Sequence, residues 1–75
     1  MVIHLSASAD GAIRKAIRTR RHACGLSQAQ LADRLGIHPP AVSVWEKKRA
    51  PGLPTLVALA AIFECSMDDL IPVRR

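Results

Sequence analysis

Apolar residues recur along the chain at intervals of three, four and seven positions, which is the spacing of one face of an α-helix. The first such stripe consists of Ile13, Ile17 and Cys24. Gly25 follows it, at the place where a glycine commonly ends a helix. The pattern predicts a first helix over residues 11–24. Residues 1–10 show no period, and we predict that they form a flexible N-terminal arm.

A second helix is marked at both of its ends. Ser27 and Gln30 have the spacing of a capping box, in which each side chain bonds a free backbone N–H of the other residue. Gly36 lies just beyond the last apolar position and ends the segment. The apolar face consists of Leu31, Ala32 and Leu35. These signals predict a helix over residues 28–35.

Two adjacent prolines mark the start of a third helix. Proline in a helix interior costs roughly 3 kcal/mol, but in the first turn its missing N–H would have no intrahelical partner. Pro39 also biases His38 away from helical backbone angles, as an N-cap position requires. We therefore predict a helix over residues 39–47. Its inward-facing residues are predicted to be Ile37, Val42 and Trp45.

The remaining apolar stripe predicts a fourth helix, from Pro54 to Phe63. Ser66 and Asp69 form another capping-box pattern, which predicts a short fifth helix from Met67 that Pro72 stops. No segment alternates as a strand does. The predicted fold is an all-α, compact five-helix bundle, with one domain over residues 11–72 and a C-terminal tail over 73–75.

The chain carries 11 Lys and Arg against 6 Asp and Glu, a net charge of +5. The cations are concentrated in two groups: Arg14, Lys15, Arg18, Arg20 and Arg21, and then Lys47, Lys48 and Arg49. Basic groups gathered on one part of a small domain indicate a polyanionic partner, usually nucleic acid, although on charge alone a merely solvated surface fits equally well.

Other kinds of site have little support in the sequence. Cys24 and Cys65 lie far apart with no CxxC pair, so we interpret both as reduced core residues and expect no metal site. We find no paired carboxylates or glycine-rich phosphate loop, and we predict neither an enzyme nor a cofactor. The longest apolar run, residues 56–63, is far short of the ~20 residues that span a bilayer. We expect a cytoplasmic protein with no membrane partner.

Two helices joined by a short glycine-containing turn have the helix-turn-helix layout. The segments GLSQAQLADRLGI, AVSVWEKKR, LPTLVALAAIF and SMDDLI resemble the phage-repressor-type helix-turn-helix domains, the lambda repressor/Cro-like or XRE family. The resemblance covers roughly residues 12–71. It implies a sequence-preferring regulator of transcription, most simply a repressor, that binds double-stranded DNA. Residues 39–47 would be the recognition helix, which lies in the major groove.

The resemblance also implies contact residues. The family's base-facing positions correspond to His38, Pro39, Pro40, Ser43 and Val44. Phosphate contacts are expected from Gln28, Arg18, Arg21, Lys47, Lys48 and Arg49. The chain departs from the family in having two prolines and a valine where hydrogen-bonding side chains are common. It also has Lys48 where the family usually has glycine, so the path of residues 47–53 is not defined by the resemblance.

Two side chains of the third helix are predicted to be structural. Trp45 is expected in the core, and Glu46 is expected to pair with an arginine of the bundle. The fourth helix is apolar on nearly every side. Its apolar residues outside the predicted core-facing stripe are Val57, Ala58, Ala61 and Ile62. A helix that is apolar all round is usually buried all round. We therefore predict a homodimer through these four residues, bound to a palindromic operator.

Two other functions fit the same residues. One is an antitoxin-like or restriction-controller regulator, which would add a protein partner to DNA binding. The other is a protein-interaction module that keeps the fold without reading DNA, as the apolar front of the third helix and the apolar fourth helix suggest. The sequence does not separate these two functions from a simple repressor.

Overall fold

The computed structural model describes residues 7–71, with side chains from Ala9 onward. It contains four α-helices, α1 (Ala7–Ala23), α2 (Gln28–Leu35), α3 (Pro39–Lys47) and α4 (Leu53–Phe63). A single 3-10 turn follows over Met67–Asp69. Within these described residues there is no strand, and the all-α class is confirmed. The predicted arm over 1–6, the stop at Pro72 and the tail over 73–75 lie outside the described residues.

The predicted fifth helix is wrong in kind, because the segment makes only one 3-10 turn. The Asp69 carboxylate accepts hydrogen bonds from the backbone N–H and the hydroxyl of Ser66, at 3.0 and 3.1 Å. The backbone N–H groups of Leu70 and Ile71 then both donate to the Met67 carbonyl. The described residues therefore contain four α-helices and one 3-10 turn rather than five helices.

The hydrophobic core takes one stripe from each α-helix and one residue that follows the 3-10 turn. Five side chains are almost fully buried: Ile17, Leu31, Val42, Leu59 and Leu70. They are joined in the core by Ile13, Ala32, Leu56, Ala60 and Phe63, and Trp45 packs against this cluster as expected. Packing of α3 against α2 and α1 determines which side of α3 remains outside.

Helix α1 begins at Ala7, four residues before its predicted start. Residues 7–10 are therefore helical and do not belong to an arm. Ala9 is buried, and the Asp10 carboxylate accepts the backbone N–H of Ala50 at 2.7 Å. A contact across 40 residues leaves no mark in the local hydrophobic period, which is why the pattern missed the first turn.

The connections between the first three helices follow the predicted signals. Gly25 has a φ of +68°, and the Leu26 N–H donates to the Arg21 carbonyl, which ends α1 in a Schellman motif. The Ser27–Gln30 capping box is confirmed, with bonds of 3.0 and 2.8 Å. His38 has an extended N-cap conformation, and the prolines occupy the first two positions of α3.

Two predicted core positions are wrong. Ile37 is 36% exposed, because it follows the left-handed turn at Gly36 and leaves the helical face. Cys24 is exposed, because it comes after the last residue of α1. Cys65 is half-buried, and burial raises the pKa of its thiol.

Two kinds of feature are missing from the part of the chain that the structure describes. No helix there is both long and apolar enough to cross a membrane. No group of three or more His, Cys, Asp or Glu side chains within 7–71 could hold a metal ion.

Candidate nucleic-acid interface

Helices α2 and α3 form a helix-turn-helix whose second helix presents its N-terminal half to solvent. The side chains of His38, Pro39 and Pro40 are exposed, and those of Ser43 and Val44 are half-buried. Val42 points the other way and is fully buried in the core. The five residues predicted to face bases therefore lie together on the outer side of α3.

Exposed cations lie at the far end of α3 and on α1. Lys47, Lys48 and Arg49 are exposed in succession where α3 ends. Arg18 is exposed on α1, close enough to α3 for its charge to act on Glu46. Four of the six residues predicted to contact phosphate are therefore open to a ligand, and their charges border the outer side of α3.

The prediction that Arg21 contacts a phosphate is wrong, because its guanidinium is hydrogen-bonded to groups inside the protein. The residue is only 7% exposed. Its Nε and Nη2 donate to the two carboxylate oxygens of Glu46, at 2.7 and 3.0 Å, and its Nη1 donates to the Leu26 carbonyl at 2.8 Å. The expected arginine partner of Glu46 is thus Arg21, and no face of this guanidinium is left for a phosphate.

Gln28 takes part in the same network from the first turn of α2. Its Nε2 donates to Glu46 Oε1 at 3.2 Å, and the residue is half-buried. Burial would raise the pKa of Glu46, but hydrogen bonds from Arg21 and Gln28, with the charges of Arg21 and Arg18, hold it below its ordinary value. Glu46 is therefore ionised at neutral pH and joins α1, α2 and α3.

A second network, which the sequence patterns did not predict, holds the loop after α3. The Asp10 carboxylate bonds both Arg14 Nε, at 2.9 Å, and the backbone N–H of Ala50, at 2.7 Å. Arg14 in turn donates from Nη1 to the Lys47 carbonyl at 3.0 Å. The only sequence signal of this clamp is the acid–base pair four residues apart on α1. The clamp determines the path of the loop that carries Lys48.

The first basic group is divided by these contacts. Arg14 belongs to the clamp, Arg21 is buried against Glu46, and Arg20 Nη2 lies 3.4 Å from Asp69 Oδ1. Lys15 is exposed and borders a hollow on α1 together with Arg20 and Asp69. Of the five cations grouped by sequence, Arg18 and Lys15 remain exposed, and Arg18 is the one whose charge acts on Glu46 of α3.

The predicted dimer residues are only partly exposed. Leu53 is 61% and Val57 is 54% exposed, and Ala61 continues this stripe at helical spacing. Ala58 is half-buried and borders a hollow together with Ile37 and Trp45. Ile62 packs against the core, so it offers a partner less surface than its neighbours do.

The geometry agrees with comparisons to known proteins. The helix-turn-helix family profile matches residues 17–70. No curated protein sequence matches the chain. Among solved structures, the P22 c2 repressor protein in complex with synthetic operator 9T is 33% identical, with a TM-score of 0.73, and the match covers 80% of this chain and 92% of that one.

An enzyme structure contains the same fold as one part of a longer chain. The hydroxypropylphosphonic acid epoxidase from S. wedmorenis is 26% identical to this chain, with a TM-score of 0.82. The match covers 89% of this chain but only 36% of the epoxidase, so this chain spans about a third of that enzyme. The family profile covers more than half of the present chain, and the chain belongs to the helix-turn-helix family, with a domain of the phage-repressor type.

Proposed function

We propose that this chain is a sequence-preferring, double-stranded DNA-binding regulator of transcription, most simply a repressor that occludes a promoter. The observation that carries the proposal is the placement of α3. Its outer side is open, and Arg18 and the run Lys47–Arg49 border it with exposed positive charge. An α-helix fits the major groove of B-DNA, and flanking cations neutralise the phosphates on either side.

Each contact residue has a distinct part in this proposal. Base edges are approached by His38, Pro39, Pro40, Ser43 and Val44. Phosphates are contacted by Arg18, Lys47, Lys48, Arg49 and Gln28. Gln28 would act through its backbone N–H at the start of α2 and the amide hydrogen that Glu46 does not use, because a helix N-terminus favours anions. We assign Arg21 to orienting α3 through Glu46.

We further propose a homodimer whose contact surface is the stripe Leu53, Val57 and Ala61, with Ile37 and Ala58 beside it. No residue of α4 is charged, and two of its large apolar side chains are more than half exposed. Two copies joined by a two-fold axis would present two α3 helices to a palindromic operator, one helical turn (~34 Å) apart.

The mass in solution tests the dimer. Sedimentation equilibrium at micromolar concentration should give the mass of two chains, and Val57→Glu should give that of one. Ala12→Glu places the same charge at an exposed position of α1 and should stay dimeric. A wild-type chain that is monomeric both with and without DNA would contradict the dimer.

Selection of bound duplexes from a random pool, followed by fluorescence anisotropy, tests the function. We expect one enriched motif, and we expect Lys48→Glu to weaken its binding at least tenfold. Arg20→Glu makes the same charge reversal on the opposite side of α1 from Arg18, where Arg20 lies beside Asp69, and should change binding less than threefold. Absence of any salt-sensitive duplex binding would overturn the proposal and favour the protein-interaction module.

An antitoxin-like or restriction-controller regulator uses the same DNA-binding surface, and a protein partner would be its distinguishing property. We infer that the chain is not itself an enzyme. The match to the epoxidase supports this inference, because it extends over only about a third of that enzyme and coincides with the helix-turn-helix fold.

A further inference from the structure

We propose that Cys24 and Cys65 form a reversible disulfide when hydrogen peroxide oxidises the protein. They are the two cysteines of the chain, and their thiols are free in the structure. The site lies where the end of α1 meets the segment that follows α4. The proposal does not depend on DNA binding, because it concerns a covalent bond within the domain.

An ion pair joins the last turn of α1 to the segment after α4. Arg20 Nη2 lies 3.4 Å from Asp69 Oδ1. Cys24 follows Arg20 by four residues and donates its backbone N–H to the Arg20 carbonyl at 3.0 Å, so both residues lie on one side of α1. Cys65 directly precedes Ser66, whose backbone N–H and hydroxyl both donate to the Asp69 carboxylate. Each cysteine is therefore tied to one partner of the ion pair.

The electrostatic surroundings of Cys65 include the other thiol. Burial has the largest effect and raises the pKa of the Cys65 thiol, Arg20 lowers it, and the charges of Asp69 and Cys24 raise it. A Coulomb interaction weakens as the distance between two charges grows, so a Cys24 thiolate that acts on Cys65 lies near it. The ion pair and the two thiols therefore form one cluster at this junction.

Both cysteines lie in turns and not within helices. Cys24 comes directly after α1 and is followed by Gly25, which has a φ of +68°. Cys65 follows Glu64, which ends α4 with a φ of +53°. A disulfide requires Cα atoms about 4.4–6.8 Å apart. Any adjustment toward that separation falls on turn residues, so the hydrogen bonds within α1 and α4 are kept.

The two thiols differ in exposure, and this difference gives the order of the reaction. Cys24 is exposed and Cys65 is half-buried. The Cys24 thiolate attacks one peroxide oxygen, the O–O bond breaks, and a sulfenic acid and one water are formed. The Cys65 thiolate then attacks the Cys24 sulfur, the S–O bond breaks, and the leaving hydroxide is protonated to a second water. The thiols lose two electrons and two protons, and the peroxide accepts them.

The disulfide would stabilise the fold by restricting the unfolded chain. It closes the segment 24–65, which contains α2, α3 and α4. The conformational entropy that such a bond removes from the unfolded state grows with the length of the closed loop. We expect the melting temperature of the oxidised chain to exceed that of the reduced chain by at least about 10 °C.

Oxidation of the reduced chain tests the bond. Hydrogen peroxide is added at micromolar protein concentration, and the product is analysed by mass spectrometry, thiol titration and thermal unfolding. We expect a single-chain product that has lost two hydrogen atoms, has no free thiol and melts at a higher temperature. Dithiothreitol should restore the original mass and melting temperature. Cys24→Ser should form no bond within the chain and should show no rise in melting temperature.

A variant with a displaced thiol tests whether the two cysteines must be neighbours. Cys24→Ser combined with Ala12→Cys keeps two thiols in the chain. Ala12 is also exposed, but it lies 12 residues, or about 18 Å, before Cys24 along α1. At the same peroxide dose, this variant should give roughly a tenth or less of the wild-type yield of disulfide within the chain. Circular dichroism of each reduced variant verifies that the helices are retained.

Three results would contradict the inference. A wild-type product that only gains oxygen, or that links two chains, overturns the proposed disulfide. An equal yield from the variant with the displaced thiol overturns the argument from proximity. A bond that forms without raising the melting temperature overturns the expected stabilisation. None of these measurements involves DNA, so the proposed function is tested separately.

Discussion

Arg21 and Glu46, which are 25 positions apart in sequence, form a two-point ion pair between α1 and α3. Arg21 Nε lies 2.7 Å from Glu46 Oε2, and Arg21 Nη2 lies 3.0 Å from Oε1. Their side chains are 9% and 3% exposed. Planar pairs of this kind restrict orientation as well as distance. The pair therefore orients α3, the helix that we propose enters the major groove, relative to α1.

Removing the charge of Glu46 should destabilise the domain strongly. In Glu46→Gln the buried guanidinium of Arg21 loses its counter-charge, and such changes cost roughly 3 kcal/mol or more. Urea unfolding followed by circular dichroism measures the loss. Glu64→Gln makes the same change at an exposed position and should stay within about 0.5 kcal/mol of wild type. A loss below about 1 kcal/mol in Glu46→Gln would contradict the proposed importance of the pair.

Stability should fall on acidification, because folding lowers the pKa of Glu46 and of Asp69. Burial would raise the pKa of Glu46, but Arg21 and Gln28 lower it by more, while hydrogen bonds from Ser66 lower that of Asp69. The stabilisation that these two carboxylates contribute is fully present above their unfolded-state pKa values, which are about 4. It is lost as the pH falls through their folded-state pKa values, which are lower. Urea midpoints from pH 7 to pH 3 should decline mainly below about pH 4.3. In Glu46→Gln this decline should be shallower, and an equally steep decline would contradict the assignment to Glu46.

The clamp at Asp10 should affect both stability and DNA binding. Asp10→Ala leaves the Ala50 N–H without its acceptor and releases Arg14, which we expect to cost about 1.5 kcal/mol. Because the released loop carries Lys48, affinity should fall similarly for every duplex. Thermal unfolding and anisotropy measure the two effects. Asp33→Ala, at an exposed position on α2, is the control and should change neither.

The salt dependence of DNA binding should distinguish the two sides of α1. Arg18→Ala removes one proposed phosphate contact per subunit and should reduce the slope of log affinity against log salt by about 0.9 for each subunit bound. Arg20→Ala removes the same charge from the opposite side of α1, where Arg20 pairs with Asp69, and its slope should match that of wild type. Equal slopes for wild type and Arg18→Ala would show that Arg18 does not contact a phosphate.

Glu64 offers a stabilising change. It ends α4 with a φ of +53° and a ψ of +44°, a left-handed conformation that costs a residue with a side chain roughly 1 kcal/mol. Its negative charge also lies at a helix C-terminus, where the helix dipole disfavours it. Glu64→Gly should raise the free energy of unfolding by about 1 kcal/mol. Glu64→Ala removes the charge but keeps the Cβ, so it should gain less, and equal gains would contradict the backbone explanation.

The helix-turn-helix could be predicted closely because its signals are local. Ser27 with Gln30 defines the start of α2, and Pro39 defines the start of α3, within one helical turn of the residues concerned. The bounds 28–35 and 39–47 are those observed. Capping bonds and proline sterics act within the same segment in any tertiary context, so the sequence by itself is sufficient to specify them.

The tertiary structure decides which charged side chains are exposed and which are buried. Arg18 and Arg21 are alike in sequence, each lying in the same run of cations, yet one is exposed and the other is buried. The difference depends on Glu46, which packing of α3 brings to Arg21. Asp10 likewise accepts a hydrogen bond from the backbone N–H of Ala50, which is 40 residues away in sequence. Local patterns determine where helices begin and end, but a charge is buried only where a distant partner compensates its desolvation, and only the packed fold brings the two together.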